Sequence, residues 1–141
     1  MDYDGTVQNE DEVEDLYVLL KLVLEKHPDI KGVSSGAIMS TYQKNRVEHI
    51  CERLGLTSVA LLWELNQKEL LDDMIKSGMN SILIKVACYG LSKQHIGMTL
   101  AEIQPTMNKL NDEFGVHCCG EGGEFESLTL DCPLYKKRIV M

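Results

Sequence analysis

Val13, Leu16, Tyr17, Leu20, Val23 and Leu24 recur at the spacing of one helix face, with acids crowding the first turn and Lys26 in the last. That pattern predicts a helix over residues 11–26, stopped by Pro28. Residues 32–39 (GVSSGAIM) are short, small and partly apolar, as in a buried strand running into a loop. A second helix follows, with Val47, Ile50, Cys51 and Leu54 on one face and Gly55 as a left-handed cap. The continuous apolar run at 58–63 has strand length. Asn66, with Glu69 three residues later, is a capping-box-like start for a helix through Leu70, Leu71, Met74 and Ile75, which Gly78 ends. Residues 81–88 (SILIKVAC) form another buried-looking strand.

The order helix, strand, helix, strand, helix, strand predicts a parallel α/β sheet. Such a domain ordinarily opens with a strand, whereas this chain opens with a polar tail and a helix. The expectation is therefore that the first strands of the sheet are missing. The pattern then loosens before a helix expected around residues 105–114, with Pro105 in its first turn. Residues 115–118 read as a short strand, 119–124 (CGEGGE) as a glycine-rich loop, and 125–132 as an alternating strand. Pro133 and a last strand at 135–140 complete the tail. No repeat or low-complexity tract interrupts the chain.

Composition narrows the function classes. At 141 residues, 44% hydrophobic and 26% charged, the chain fits one compact domain, or one small domain plus part of another. Fourteen Lys and Arg against twenty-two Asp and Glu give a net charge of -8, which repels a phosphate backbone; a cationic partner suits it better than nucleic acid. The acidic start lacks a secretory signal and no apolar run reaches membrane-spanning length, so a cytoplasmic protein without membrane partners is expected. The five cysteines, Cys51, Cys88, Cys118, Cys119 and Cys132, show no paired spacing and no C-x-x-C, and read as reduced core thiols with no metal site.

Three stretches carry side chains suited to chemistry. In GEGGEFE (residues 120–126), Gly120, Gly122 and Gly123 allow close backbone approach to a ligand. Glu121, Glu124 and Glu126 in the same loop can bind a cation, hold a magnesium ion or accept a proton. The same composition also describes a solvated hairpin loop, and spacing leaves both readings open. GAIMSTYQKNRVE (residues 36–48) lies at a strand-to-helix junction, where open α/β sheets bind ligands, and offers Ser40, Tyr42, Gln43 and Arg46 to a nucleotide or anion. Its alternative is local: Ser40 or Thr41 caps the helix and Arg46 pairs with an acid. Lys85, inside an apolar strand, is a third candidate, or a lysine snorkelling from a sheet edge. His95 and His117 stand alone in sequence and default to structural roles.

Taken together, DEVEDLYVLLKLV, GAIMSTYQKNRVEHICERLGL, LLWELNQKELLDDMI, IKVACYGL and FGVHCCGEGGEFESLTLDCPLYKKRI resemble the diphthine-ammonia ligase family of PP-loop ATP pyrophosphatases over about residues 10–140. The resemblance implies the remnant of a parallel-sheet, Rossmann-like nucleotide-binding domain over residues 1–63. A smaller α+β carboxy-terminal domain for substrate recognition follows over residues 64–141. It implies that ATP, with Mg2+, activates the carboxylate of diphthine on elongation factor 2 as an acyl-adenylate, and that ammonia, drawn from ammonium, displaces the nucleotide to leave the amide of diphthamide.

By the same resemblance Gly36, Ser40, Tyr42, Gln43 and Arg46 lie on the nucleotide side. Glu121, Glu124 and Glu126 are assigned to catalysis, and Gly120, Gly122, Gly123 and Lys85 to substrate, whose trimethylammonium group suits a carboxylate cluster. The family's serine-glycine-glycine-lysine-aspartate-serine phosphate loop has no counterpart here, so the isolated chain is expected to be truncated and inactive. The alternative is a non-catalytic module that binds the diphthine-bearing region of elongation factor 2. An exposed sheet edge would also make the chain self-associate.

Overall fold

The computed structural model describes residues 12–140. They divide into two compact units, the first ending at Glu64 and the second beginning at Leu65.

In the first unit, helix α1 (Glu12–Lys26) precedes strand β1 (Gly32–Ser34), helix α2 (Thr41–Leu54) and strand β2 (Thr57–Val59). β1 and β2 pair in parallel, Gly32 opposite Thr57 and Ser34 opposite Val59, so β1, α2 and β2 make one crossover. α2 starts where the Ser40 hydroxyl accepts the Gln43 N–H and ends at Gly55, whose φ of 67° is the left-handed cap read from the sequence. Val13, Ile50 and Cys51 are buried. Arg53 clamps α1 to α2: its guanidinium donates to both Glu14 carboxylate oxygens at 2.6 and 3.0 Å and lies over the Tyr17 ring.

The stretch at 32–39 is, as its sequence indicated, a short strand that runs into a loop: the strand ends at Ser34, and Ala37 and Ile38 are buried in the loop. The second strand is shorter than its apolar run implied. The run at 58–63 leaves its strand after Val59, because Trp63 N–H bonds back to Ala60 and Glu64 N–H bonds to the Ile38 carbonyl at 2.8 Å.

The second unit holds α3 (Gln67–Lys76), β3 (Asn80–Val86), a 3-10 turn (Lys93–His95), α4 (Leu100–Phe114) and β4 (Phe125–Asp131). As the sequence indicated, the Asn66 side chain caps α3, accepting from Lys68 and Glu69 N–H. Leu71, Leu83, Ile103, Met107, Cys118 and Phe125 lie in its core.

Four expectations change here. The strand expected in the parallel sheet is β3, and it pairs antiparallel with β4 instead, Lys85 opposite Glu126 and Ser81 opposite Thr129. A continuous apolar run marks burial but not strand direction. The other edge of β3 is covered by residues 97–99, through Gly97 N–H to Leu83 carbonyl and Leu83 N–H to Met98 carbonyl. α4 begins at Leu100 rather than Pro105, because Thr99 and Glu102 form a reciprocal capping box: Thr99 N–H donates to Glu102 Oε2 at 2.7 Å and Glu102 N–H to Thr99 Oγ1 at 3.2 Å. Pro105 consequently sits inside the helix, where it cannot donate to the Ala101 carbonyl. Residues 115–118 are not a strand, since side chains rather than a neighbouring strand engage their backbone groups. Residues 135–140 are irregular, with Ile139 N–H bonded to the Leu130 carbonyl.

The fold is thus mixed α/β, a small parallel sheet followed by an antiparallel one. Among the described residues no helix is long and apolar enough to cross a membrane. Leu83 is fully buried, so Leu83→Ala should cost about 2–5 kcal/mol in urea unfolding of the chain. The Arg53 bonds hold the Glu14 carboxyl below its usual range, and Thr99 N–H does the same for Glu102. Because the unfolded chain takes up these protons first on acidification, stability should be full above the ordinary carboxylate range and fall as pH drops through it. Thr99→Ala should flatten that acid slope, measured by unfolding at a series of pH values.

Candidate functional site

α4 ends at Gly115, and ten residues later β4 must leave in the direction opposite to β3. Two consecutive turns make the reversal: Gly120 N–H bonds to the His117 carbonyl and Gly123 N–H to the Gly120 carbonyl, each at 3.0 Å. Gly120 has φ 75°, and a Cβ there would lie 3.0 Å from the Phe125 carbonyl oxygen and 3.1 Å from its ring. Only glycine meets both demands. Gly122 leaves room for a side chain rather than for the backbone, because a Cβ on it would stand 2.8 Å from Glu124 Oε1 and the carboxylate would have to shift.

The turn backbone is held by side chains. The Gln67 amide oxygen accepts Cys118 N–H at 2.6 Å, and Asn111 Nδ2 donates to the Val116 carbonyl. Glu124 Oε1 accepts His117 N–H at 3.2 Å, while the Glu124 carbonyl takes Ala87 N–H and Cys88 N–H, tying the turn to the end of β3. His117 Nδ1 accepts Cys119 N–H at 3.2 Å. Its Nε2 lies 3.7 Å from Glu121 Oε2, with the two side chains only 12% and 10% exposed. His117 Nε2 and Glu124 Oε2 are buried without a hydrogen-bond partner.

Burial shapes the thiols beside this loop. It pushes the Cys119 thiol up to about 11, with Cys118 and the Glu121 charge adding to the effect. Cys88 is raised by burial and then by the Glu124 charge. Both therefore stay protonated near neutral pH and are poor nucleophiles. The five cysteines are free thiols.

The candidate residues fall into three places. Glu121, Glu124, Gly120, Gly122 and Gly123 share the turn. Glu126 and Lys85 sit beyond it on the β3–β4 ribbon, where Lys85 Nζ donates to Glu126 Oε1 at 2.7 Å and both side chains are more than half exposed. Gly36, Ser40, Tyr42, Gln43 and Arg46 belong to the first unit, at the start of α2. There Tyr42 Oη donates to Glu12, and Arg46 stacks over the Tyr42 ring at 3.2 Å, donating to the Tyr42 carbonyl. Ser40 serves as the cap that the bland sequence reading described. Gln67 is the residue that sequence reasoning passed over, and His117 is one that it read as structural. The one available signal was His117's position just before a glycine-rich turn.

Thr41 N–H goes to the Met39 carbonyl, Gln43 N–H to Ser40 Oγ and Lys44 N–H to the Ser40 carbonyl, so three donors of this helix start are already engaged. A triphosphate, which needs convergent donors, does not fit this end of α2. Among the described residues no group of three or more His, Cys, Asp or Glu side chains is placed to hold a metal ion, so Mg2+ is assigned no ligands here. A separate open groove of about 550 Å3 runs along α4 past Pro105, Lys109 and Leu110, with Tyr89 and Phe114, whose rings meet edge to face at 5.2 Å, in its wall.

Comparison with known proteins gives two family matches: the diphthamide synthase N-terminal domain over residues 2–58 and the diphthamide synthase C-terminal domain over residues 66–141. Proteins named diphthine--ammonia ligase are similar to the chain. The Schizosaccharomyces pombe protein is 56% identical over 141 residues, 100% of this chain and 23% of its own length. The Mus musculus and Homo sapiens proteins are 57% and 53% identical over 132 residues, 93% of this chain and 49% of theirs. The chain therefore spans about half the length of the mammalian relatives, and less of the fission yeast one.

Gly120→Ala should destabilise the chain by about 1–2 kcal/mol or more, from its left-handed φ and its contact with Phe125, read by thermal unfolding. The raised Cys119 thiol sets an alkaline limit. The unfolded chain loses that proton near about pH 8.5, so between there and about pH 11 the folded state binds the extra proton and stability falls as pH rises. Cys119→Ala should reduce that alkaline slope in denaturant titrations.

Proposed function

The chain belongs to the diphthamide synthase family, and from that membership we propose that it serves the ATP-dependent amidation of diphthine on elongation factor 2 with ammonium, the last step of diphthamide formation. The single observation that carries this reading is the double turn at residues 117–123 with the Glu121 and Glu124 carboxylates beside it, inside the stretch that matches the family's C-terminal domain. In this proposal residues 1–63 are the end of an ATP-binding domain and residues 64–141 read the substrate. Ammonia attacks an activated diphthine carboxylate, the carbon–nitrogen bond forms, and the nucleotide leaves. Names of the relatives support ligase chemistry; a cytoplasmic location and a protein substrate are part of the same proposal.

The turn's chemistry supports a role in cation recognition. Glu121 and Glu124 are held in a small, largely buried space, where a carboxylate attracts a positive group more strongly than in water. Glu126 and Lys85 form an exposed ion pair at its margin, suited to contact with the surrounding protein substrate rather than with the trimethylammonium group. Gly36, Ser40, Tyr42, Gln43 and Arg46 are proposed to border the base or ribose of the nucleotide, since the phosphates do not fit there.

A non-catalytic module that binds the diphthine-bearing region is the second reading, favoured by the engaged donors at the start of α2. The exposed Val18, Leu19 and Leu22 on α1 support self-association of the isolated chain, which sizing by light scattering would detect.

The test is expression of the 141-residue chain in cells that lack the ligase and accumulate diphthine, with elongation factor 2 examined by mass spectrometry. Conversion to the amide supports the ligase reading; binding to diphthine-bearing elongation factor 2 without conversion supports the module, and neither sinks both. Glu121→Gln should weaken that binding about three- to tenfold, the loss of one partly screened charge attraction, as measured by titration calorimetry.

A further inference from the structure

His117 controls both carboxylates of the double turn through different atoms. Its backbone N–H donates to Glu124 Oε1, and its ring faces Glu121. The ring's state follows from what surrounds it. Nδ1 lies 3.2 Å from Cys119 N, a backbone donor, so Nδ1 must present its lone pair there. A proton on Nδ1 would set two donors against each other. Neutral His117 therefore carries its proton on Nε2, the buried nitrogen that has no hydrogen-bond partner and points across 3.7 Å to Glu121 Oε2. The Cys88 and Cys119 thiols beside the loop are kept protonated by burial.

We propose that His117 is a positioning residue of the double turn, its neutral Nε2–H form orienting the Glu121 carboxylate toward a bound quaternary ammonium group while its Nδ1 fixes the turn backbone. The orienting half of this inference rests on the cation-recognition reading above. The two halves separate chemically. Asparagine can place an oxygen where Nδ1 lies and accept Cys119 N–H, the bond of an Asx turn, but it cannot reach Glu121. Glutamine can place an N–H donor where Nε2 lies, but it offers no acceptor at the Nδ1 position.

The experiment is nitrogen-15 NMR of the chain, its His117→Asn and His117→Gln variants, with glycine betaine as the probe because it joins a trimethylammonium group to a carboxylate. The wild-type ring should show a protonated Nε2 and an unprotonated Nδ1. Exchange of the Cys119 amide should quicken about fivefold in His117→Gln, as expected for loss of one hydrogen bond, and stay near wild type in His117→Asn. Betaine-induced shifts at Glu121 should persist in His117→Gln and weaken in His117→Asn.

A proton found on Nδ1, or variants that behave alike in amide exchange and in betaine response, would overturn the assignment. If betaine leaves wild-type Glu121 unmoved while the tautomer and exchange results hold, the turn-fixing role of His117 stands. The cation reading then fails, and the orienting role with it.

Discussion

A backbone amide removed from water must find an acceptor, and between α4 and β4 no neighbouring strand supplies one. The second unit meets this demand with side chains from several segments: Gln67 at the start of α3 takes Cys118 N–H, His117 takes Cys119 N–H, and Glu124 takes His117 N–H. Two of the turn's glutamates are drawn inward as a result. Glu124 reaches back to the amide of His117, and Glu121 packs beside the same residue's ring. The geometry that makes the loop a candidate cation site is thus the geometry that lets its backbone be buried at all.

That constraint explains the glycines better than flexibility does. Gly120 turns through a left-handed backbone against Phe125, a core residue, so the turn is pinned to the hydrophobic cluster beneath it. Gly122 lies over the Glu124 carboxylate, which would have to shift to admit a side chain there. The same compactness raises the neighbouring thiols and keeps them out of nucleophilic chemistry. Glu126 follows the buried Phe125 on β4 and so points to the opposite face of the strand, where it is exposed and pairs with Lys85.

The first unit follows a different logic. Its parallel pair is only three residues long, and much of its tie between helices is electrostatic: Arg53 against Glu14 and Tyr17, Arg46 and Tyr42 against Glu12. Residues proposed for the nucleotide are therefore already joined to one another and to α1. A ligand bordering Tyr42 or Arg46 would meet a stacked, hydrogen-bonded pair rather than two mobile side chains.

Local signals in the sequence determined the helices and their ends. The Ser40 and Asn66 caps, the Gly55 stop and the acidic first turn of α1 each depend on neighbours within four residues, so they were legible without the fold. The long family-like stretches likewise determined the family. Strand direction, strand length and the extent of α4 went differently. β3 is as apolar as a parallel strand, but β4, which arrives forty residues later, makes it antiparallel. The apolar run at 58–63 stops being strand where a turn hydrogen bond, Trp63 N–H to the Ala60 carbonyl, displaces pairing. The Thr99 and Glu102 box was present in the sequence, yet Pro105 drew the helix start to itself. Within the glycine-rich loop, composition identified three acids, and only tertiary structure separated them. Which carboxylate turns inward depends on Gln67, His117 and the end of β3, residues far apart in sequence whose backbone demands meet only when the chain is folded.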